Sequence, residues 1–308
     1  MIRLTSHDPM PKELHGAAMA LGNFDGVHSG HQAVIGKAVE LGRNANRPVI
    51  VATFDPHPVR HFSPDAPPFR LTTLDQREEL FAQLGAQAML VFEFNESLAQ
   101  TTAEDFVAKL LAGQMQIASV VTGSDFTFGK GRKGNVALLA SLGREVGIEA
   151  HAIAPVREDG EDISSSRIRG ALKNGDPQEA ARLLTRPFAI RGRVQHGDKV
   201  GRTIGYPTAN IDLGSYLRPK YGIYAVTGRL PDGRVLNGAA NIGIRPSFDP
   251  PKELLEPYFF DFAEDLYGQE IEVAFHHFIR AEAKFDDLAA LIAQMEKDCE
   301  QARALLGA

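Results

Sequence analysis

The sequence contains a single cysteine, Cys299, and no tryptophan. One thiol excludes an intramolecular disulfide framework, a thiolate zinc cluster and dithiol redox chemistry, and it fits a reducing compartment. No run approaches the roughly 18 uninterrupted apolar residues of a membrane-spanning helix, and residues 1–10 are polar, without the basic-then-apolar order of a secretory leader. Excess positive charge is lacking as well: 33 lysines and arginines face 39 aspartates and glutamates, for a formal net charge of -6. General nucleic-acid binders carry a basic domain, so that class is set aside, although local basic patches stay open. The expectation is a cytoplasmic protein with no membrane or nucleic-acid partner.

What is present is a chain of 308 residues, 44% of them hydrophobic, which is enough for two domains with their own cores. Between Ala17 and Pro155 short apolar runs alternate with helix-like segments, the pattern of βαβ units and a parallel sheet. The runs are Ala17 to Leu21, Val49 to Phe54, Ala88 to Phe94, Ile117 to Thr122 and Ile148 to Ala154. Thr73 with Gln76, and Thr101 with Glu104, have capping-box spacing, and Gly85 and Gly113 sit where the helices they open should end. From Phe188 to Ile279 the texture becomes β-rich, with runs at Phe188 to His196, Gly222 to Leu230, Arg234 to Ala240, Tyr258 to Phe262 and Ile271 to Ile279. Pro231-Asp232-Gly233 reads as a hairpin turn, so antiparallel pairing in a barrel or sandwich is expected. Leu288, Leu291, Ile292, Met295, Cys299, Ala302 and Leu306 then recur at helical spacing, which places Cys299 on the packed stripe of a terminal helix. Arg186-Pro187 marks the boundary between the halves.

Directly after the first of these strands comes Gly22-Asn23-Phe24-Asp25-Gly26-Val27-His28-Ser29-Gly30-His31, followed by a helix-like segment. A strand, a glycine-rich turn and a helix start make an anion site, because exposed N–H groups and the positive end of the helix dipole both favour phosphate. The spacing matches neither the dinucleotide fingerprint nor the P-loop, and no P-loop occurs elsewhere. His28 and His31 can both face one anion; metal ligation is the alternative, weakened by the lack of a carboxylate or cysteine at ligand spacing. After the fourth run, Gly123 to Gly134 carries Asp125 and the cations Lys130, Arg132 and Lys133 among four glycines, either a basic flap for polyphosphate or a solvated loop. Ser164-Ser165-Ser166 with Arg167 and Arg169 offers hydroxyls and guanidiniums at a helix start, where capping is the plainer use. Thr53-Phe54-Asp55-Pro56-His57-Pro58 closes the second run, either a fourth contribution or a rigid turn. Four strand ends with phosphate-compatible chemistry and no covalent nucleophile point to transfer of a nucleotidyl or phosphoryl group by positioning and charge stabilisation.

In the second half, Thr208 and Asn210 stand two apart and would face one way in an extended chain, two oxygen donors of the kind Mg²⁺ accepts; satisfying the local backbone is the alternative. Glu256, ahead of the apolar run from Pro257 to Phe262, is a candidate general base, or an ordinary exposed glutamate at a strand start.

The H-x-G-H element from His28 to His31 and the segment from Ile163 to Arg169 resemble the nucleotidylyltransferase superfamily. With the Thr53 to Pro58 and Gly123 to Gly134 segments, the P-T-A-N element from Pro207 to Asn210, the Pro219 to Ala225 block, Asn241-Ile242-Gly243, Asp265 to Gly268 and Lys284-Phe285, nearly the whole chain is similar to the prokaryotic bifunctional riboflavin kinases/FMN adenylyltransferases. The resemblance implies a Rossmann-like parallel-sheet nucleotidylyltransferase domain over residues 1–184, followed by an antiparallel flavokinase-like barrel with a terminal helix over residues 185–308. It implies that ATP phosphates meet His28 and His31, with Gly22, Asn23, Phe24, Asp25 and Gly30 shaping that site. Ser164, Ser165, Ser166, Arg169 and Arg132 would hold nucleotide phosphates, and Asp125 would lie by the ribose or the flavin phosphate. In the barrel it implies Mg²⁺ on Thr208 and Asn210, Glu256 as base, ATP along His196, Gly197, Lys199, Gly201 and Arg202, and flavin beside Tyr206 and Arg280. Riboflavin, FMN and ATP would be the small-molecule partners of a monomer or weak homo-oligomer. Pro250, Pro251 and Pro257 depart from the family's pattern near Glu256. An adenylyltransferase whose barrel only binds flavin, or a flavin-sensing regulator, would share these features; incubation with riboflavin and ATP separates the three.

Overall fold

The computed structural model describes residues 1–196, 206–245 and 252–307. They fall into two compact units: Met1–Pro67 with Thr73–Ser164, and Pro68–Thr72 with Ser165–Ala308.

The first unit is built on six parallel strands, β1 (Ile2–Thr5), β2 (Ala18–Leu21), β3 (Val49–Asp55), β4 (Ala88–Glu93), β5 (Ser119–Gly123) and β6 (Glu149–Ile153), in the order β1-β4-β3-β2-β5-β6. Alternate residues of each central strand go to opposite cores. Met19, Leu21, Ile50, Ala52, Leu90 and Phe92 join one, while Ala20, Val51, Met89 and Val91 join the other. Burial on both faces is why these strands read as unbroken apolar runs. Helices α1 (Ser29–Ala45) and α2 (Leu74–Gln83) cover one face through Val34, Ile35, Ala38 and Phe81. A π-helical segment, Phe106–Gln114, and α3 (Val136–Glu145) cover the other through Phe106, Leu111 and Leu139. After β4 the chain returns across β2 to lay down β5, whose Ser119, Val120 and Val121 pair with Ala18, Met19 and Ala20. Ligands of open parallel sheets bind outside the carboxyl ends at such a reversal of strand order.

All five expected strands of this unit form, and the sheet gains the edge strand β1, a short and mostly exposed element that residues 1–10 did not announce. The Thr73–Gln76 capping box is present. The second does not form: Thr101 ends the short helix Glu96–Gln100, and Thr102 is a simple N-cap that accepts from the Asp105 N–H at 3.1 Å. Gly85 takes the left-handed backbone expected of it (φ 100°), whereas Gly113 stays inside its helix and Gln116, at φ 49°, makes the left-handed turn.

The second unit is a closed antiparallel barrel of β7 (Phe188–Gln195), β8 (Asn210–Asp212), β9 (Gly222–Arg229), β10 (Val235–Arg245), β11 (Lys252–Phe259) and β12 (Glu270–Arg280), in the order β7-β8-β11-β10-β9-β12. Ile190, Ile211, Ile242, Leu255 and Phe275 are fully buried in it. The turn at Pro231-Asp232-Gly233 forms as expected, with Gly233 at φ 88°. Helices α4 (Ser165–Asn174) and α5 (Pro177–Leu184) belong to this unit, and α6 (Leu288–Leu306) packs its Ala302 and Cys299 against Ala225, Ala239 and Phe260. Cys299 is therefore a packing residue, as its helical spacing predicts. The segment Pro68–Thr72 joins the unit by main-chain bonds from the Arg70 N–H to the Ser215 carbonyl (3.1 Å) and from the Leu217 N–H to the Arg70 carbonyl (2.8 Å).

The strand expected over Tyr258 to Phe262 lies earlier, at Lys252–Phe259, so Glu256 occupies the middle of β11 and not its start. Proline lacks the ladder N–H that normally marks a strand interior. Here Pro257 contributes its carbonyl instead, which accepts the Ala209 N–H at 3.0 Å.

Candidate functional site

At the carboxyl end of β2 the turn from Gly22 to His28 delivers the chain into α1. His28 is the N-cap: its Nδ1 accepts the His31 N–H at 3.3 Å. Such a cap stabilises a helix by about 1 kcal/mol. With Nδ1 accepting, a neutral imidazole carries its proton on Nε2, which makes that nitrogen a donor. The two imidazoles stack, with centroids 3.6 Å apart and planes 21° apart, and Phe24 sets its edge against His31 at 5.3 Å. Phe24 and Val27 hold φ of 49° and 48°, strain of order 1–3 kcal/mol each that only an over-determined turn sustains. Asp25 is buried within this turn.

The adjacent strand β5 ends at Gly123, over which the Asp125 carboxylate folds so closely that a Cβ there would lie 2.7 Å from Oδ1. The glycine-rich segment beyond it is a small ribbon, Thr127–Phe128 paired with Gly134–Asn135, enclosing the turn Lys130–Arg132. Arg132 Nε donates to Thr127 Oγ1 at 2.9 Å. Lys130 and Lys133 stand exposed on the ribbon. Ser164 closes the first unit; Ser165, Ser166 and Arg169 open α4 in the second. There Arg169 Nε donates to the Phe69 carbonyl at 2.8 Å and its guanidinium covers the Phe69 ring at 5.3 Å. The neighbouring Arg167 pairs with Glu179 at 2.7 Å; burial pushes that carboxyl up, and hydrogen bonds from Arg182 and Arg167 outweigh it, leaving Glu179 below the usual range.

One feature of this rim escaped the sequence reading. A chain of rings runs from the exposed Phe62 through Phe94 (5.8 Å), Phe54 (6.0 Å) and Phe92 (5.6 Å) to Phe106 (6.0 Å) and Phe128 (5.5 Å). Phe62 stays 67% exposed at its end, while Phe54, Phe92, Phe106 and Phe128 are buried. The phenylalanines come from distant segments, so no spacing signals them.

In the barrel, strand register assembles the second site. Ile211 pairs with Leu255 across β8 and β11, which sets Asn210 opposite Glu256, and Glu256 pairs with Asn241 across β11 and β10. Residues directly opposite share a face. The buried Ile211, Leu255 and Ile242 of the next row fill the interior, so Asn210, Glu256 and Asn241 form an outward-facing row, with Thr208 two residues before Asn210. Asn241 Nδ2 lies 3.5 Å from Glu256 Oε2 and 3.5 Å from Glu282 Oε1, and its buried Oδ1 has no hydrogen-bond partner among the described residues. A Cβ at Gly243 would meet the end of the exposed Glu282 side chain, which lies over this part of β10. Tyr206 meets Tyr258, two residues along from Glu256, edge-on at 5.1 Å, and burial raises both phenols above their usual range. Arg280 is held by Asp298 through bonds of 2.7 to 3.1 Å, and His196 lies against the Tyr267 ring at 3.9 Å. Gly197, Lys199, Gly201 and Arg202 lie outside the described residues.

The family model for FAD synthetase matches residues 10–167, and the family model for riboflavin kinase matches residues 184–306. The chain is 40% identical to the bifunctional riboflavin kinase/FMN adenylyltransferase of Haemophilus influenzae over 94% of both chains. It is 39% identical to the Bacillus subtilis protein of that name, over 96% of this chain and 94% of the other. A crystal structure described as a macrolide-efflux protein from Streptococcus pneumoniae superposes with a TM-score of 0.88 at 31% identity, covering 98% of this chain and 99% of that one. Among the described residues no helix is long and apolar enough to cross a membrane.

Proposed function

The chain belongs to the family of bacterial bifunctional riboflavin kinases/FMN adenylyltransferases, and on that premise we propose which of its residues perform the two reactions. It phosphorylates riboflavin to FMN with ATP, then transfers AMP from a second ATP to FMN, giving FAD and pyrophosphate. We assign adenylyl transfer to residues 1–184 and phosphorylation to residues 185–308.

In adenylyl transfer an oxygen of the FMN phosphate attacks the α-phosphorus of ATP and the bond to pyrophosphate breaks. Charge spreads over the phosphoryl oxygens, and catalysis consists of donors already aimed there. The capped His28 supports this assignment most directly: Nδ1 accepts from the helix start, so the neutral ring carries its proton on Nε2, at the carboxyl end of β2. His31 stacks on it and supplies the second donor, with the main chain of Gly22 to Asp25 and Gly30 completing the cradle. Ser164, Ser165, Ser166, Arg169 and Arg132 are proposed to hold the remaining phosphate charge, and Asp125 to meet the ribose or the flavin phosphate. The exposed ring of Phe62 is proposed to meet the isoalloxazine.

In the kinase reaction the primary hydroxyl of riboflavin attacks the γ-phosphorus of ATP, the bond from that phosphorus to the β,γ-bridging oxygen breaks and ADP leaves, and Glu256 accepts the hydroxyl proton. Asn210 and Asn241 flank Glu256 in register and limit where its carboxylate can lie. The oxygen donors Thr208 and Asn210, two residues apart at the start of β8, suit Mg²⁺, which takes few protein ligands when substrate phosphates complete its shell. Bound there, it would neutralise charge on the ATP phosphates. His196, Gly197, Lys199, Gly201 and Arg202 are proposed to line the ATP site, and Tyr206 and Arg280 the flavin. The protein is proposed to act in the cytoplasm as a monomer or weak homo-oligomer, without nucleic acid, consistent with its net charge of -6 and single cysteine.

Product analysis after incubation with riboflavin and ATP tests the assignment. Glu256→Gln should abolish FMN formation and spare conversion of supplied FMN to FAD; His28→Ala with His31→Ala should do the reverse. Loss of both activities in either folded variant contradicts separate sites.

A further inference from the structure

Backbone with positive φ at Phe24, Gly26 and Val27 cannot hold itself in place, and a β-branched valine is the least suited of residues to it. The restraint lies underneath. The Asn23 side chain is exposed, yet its carbonyl turns into the domain, where it accepts hydrogen bonds from Thr53 Oγ1 at 2.8 Å and from Arg77 Nη1 at 3.2 Å. Arg77 Nη1 also donates to Thr53 Oγ1 at 2.9 Å, closing a triangle. Thr53 is 0% and Arg77 2% exposed, so water does not compete for these bonds. Arg77 is itself placed by α2, whose start is fixed by the Thr73–Gln76 capping box, and its Nε points at the Thr73 carbonyl at 3.4 Å.

In a trans peptide the carbonyl and the following N–H point in opposite directions. An Asn23 carbonyl drawn inward therefore turns the Phe24 N–H outward, toward the rim where His28 and His31 stand. We propose that Arg77 and Thr53 are positioning residues for adenylyl transfer: they hold the Asn23 carbonyl and so aim the Phe24 main-chain N–H at the transferring phosphoryl group. This rests on the assignment of the turn from Gly22 to His31 to the ATP phosphates. Arg77 touches no reacting atom; its effect passes through the peptide between Asn23 and Phe24.

The test uses the full chain, with riboflavin phosphorylation as the internal measure of a folded protein. Thr53→Val keeps the shape and deletes the hydroxyl, whereas Thr53→Ser keeps the hydroxyl. Misplacing one preorganised donor costs on the order of tenfold to a hundredfold in rate. Thr53→Val should lower kcat for FAD formation by that factor, leave the KM for FMN within about twofold, and leave kinase activity unchanged; Thr53→Ser should restore most of the rate. Arg77→Lys, which keeps the charge but loses the fork, should show the same split between kcat and KM. Unchanged kcat in Thr53→Val, or equal loss in the Val and Ser variants, overturns the proposal. His28→Ala with His31→Ala, assayed alongside, separates the two readings. If that variant still makes FAD, the phosphate site itself is wrongly assigned; if it does not while Thr53→Val is fully active, the clamp alone is wrong.

Discussion

Asn241 stands directly across from Glu256 in the barrel, its amide nitrogen 3.5 Å from Glu256 Oε2 and equally far from Glu282 Oε1. One amide thus separates two carboxylates that would otherwise repel each other. Asn241→Ala should lower the kinase kcat about tenfold through a less constrained base. Asn241→Asp, which sets a third negative charge between the other two, should be worse, about a hundredfold, because like charges drive the carboxylates apart. Steady-state kinetics of FMN formation measures both, and FAD formation from supplied FMN should not change.

His28 both caps a helix and, by the assignment above, meets phosphate; the two roles use different nitrogens. His28→Asn places an acceptor where Nδ1 was and removes the Nε2 donor. Thermal stability should therefore hold while FAD formation falls by about a hundredfold or more. His28→Ala should lose the same activity and about 1 kcal/mol of stability besides. Calorimetry beside the enzyme assay separates cap from chemistry.

Arg280 and Asp298 tie β12 to α6, with Asp298 almost wholly buried and also accepting from Gln294 at 2.9 Å. Removing one partner of a buried pair leaves the other charge uncompensated, a loss of roughly 3–5 kcal/mol. Arg280 keeps 23% of its side chain exposed, so Asp298→Ala should cost less, about 2 kcal/mol, in chemical denaturation. If Arg280 borders the flavin, the KM for riboflavin should rise in the same variant.

Burial pushes the Cys299 thiol up to about 11. The thiolate is the reactive form and is scarce below that pH, so alkylation near pH 8 should run on the order of a hundredfold slower than for a free thiol. The rate should climb steadily toward pH 11, and mass spectrometry of the iodoacetamide adduct follows it.

Strands buried on both faces were legible because they spell themselves out in Val, Ile, Ala and Leu, as β3 and β4 do. The Gly22 to His31 turn was legible because glycines and paired histidines beside a strand have few other uses. Elements without such an imprint were not: β1 is four mostly exposed residues, and β8 only three. Glu256 was recognisable as a candidate, but its place in mid-strand was hidden by Pro257, whose missing N–H imitates a boundary. Arg77 gave no local sign, and Asn241 showed only as part of a matching block without a role, since what they do depends on Asn23 and Glu256, which only the folded chain brings near.

The segment Pro68–Thr72 lies early in the chain yet hydrogen-bonds to Ser215 and Leu217 and receives the Arg169 side chain at Phe69. A gene cut at residue 184 would leave that ribbon behind on the wrong fragment. The carboxy-terminal piece would then lack the Arg70 main-chain groups that bond to Ser215 and Leu217 in the full chain.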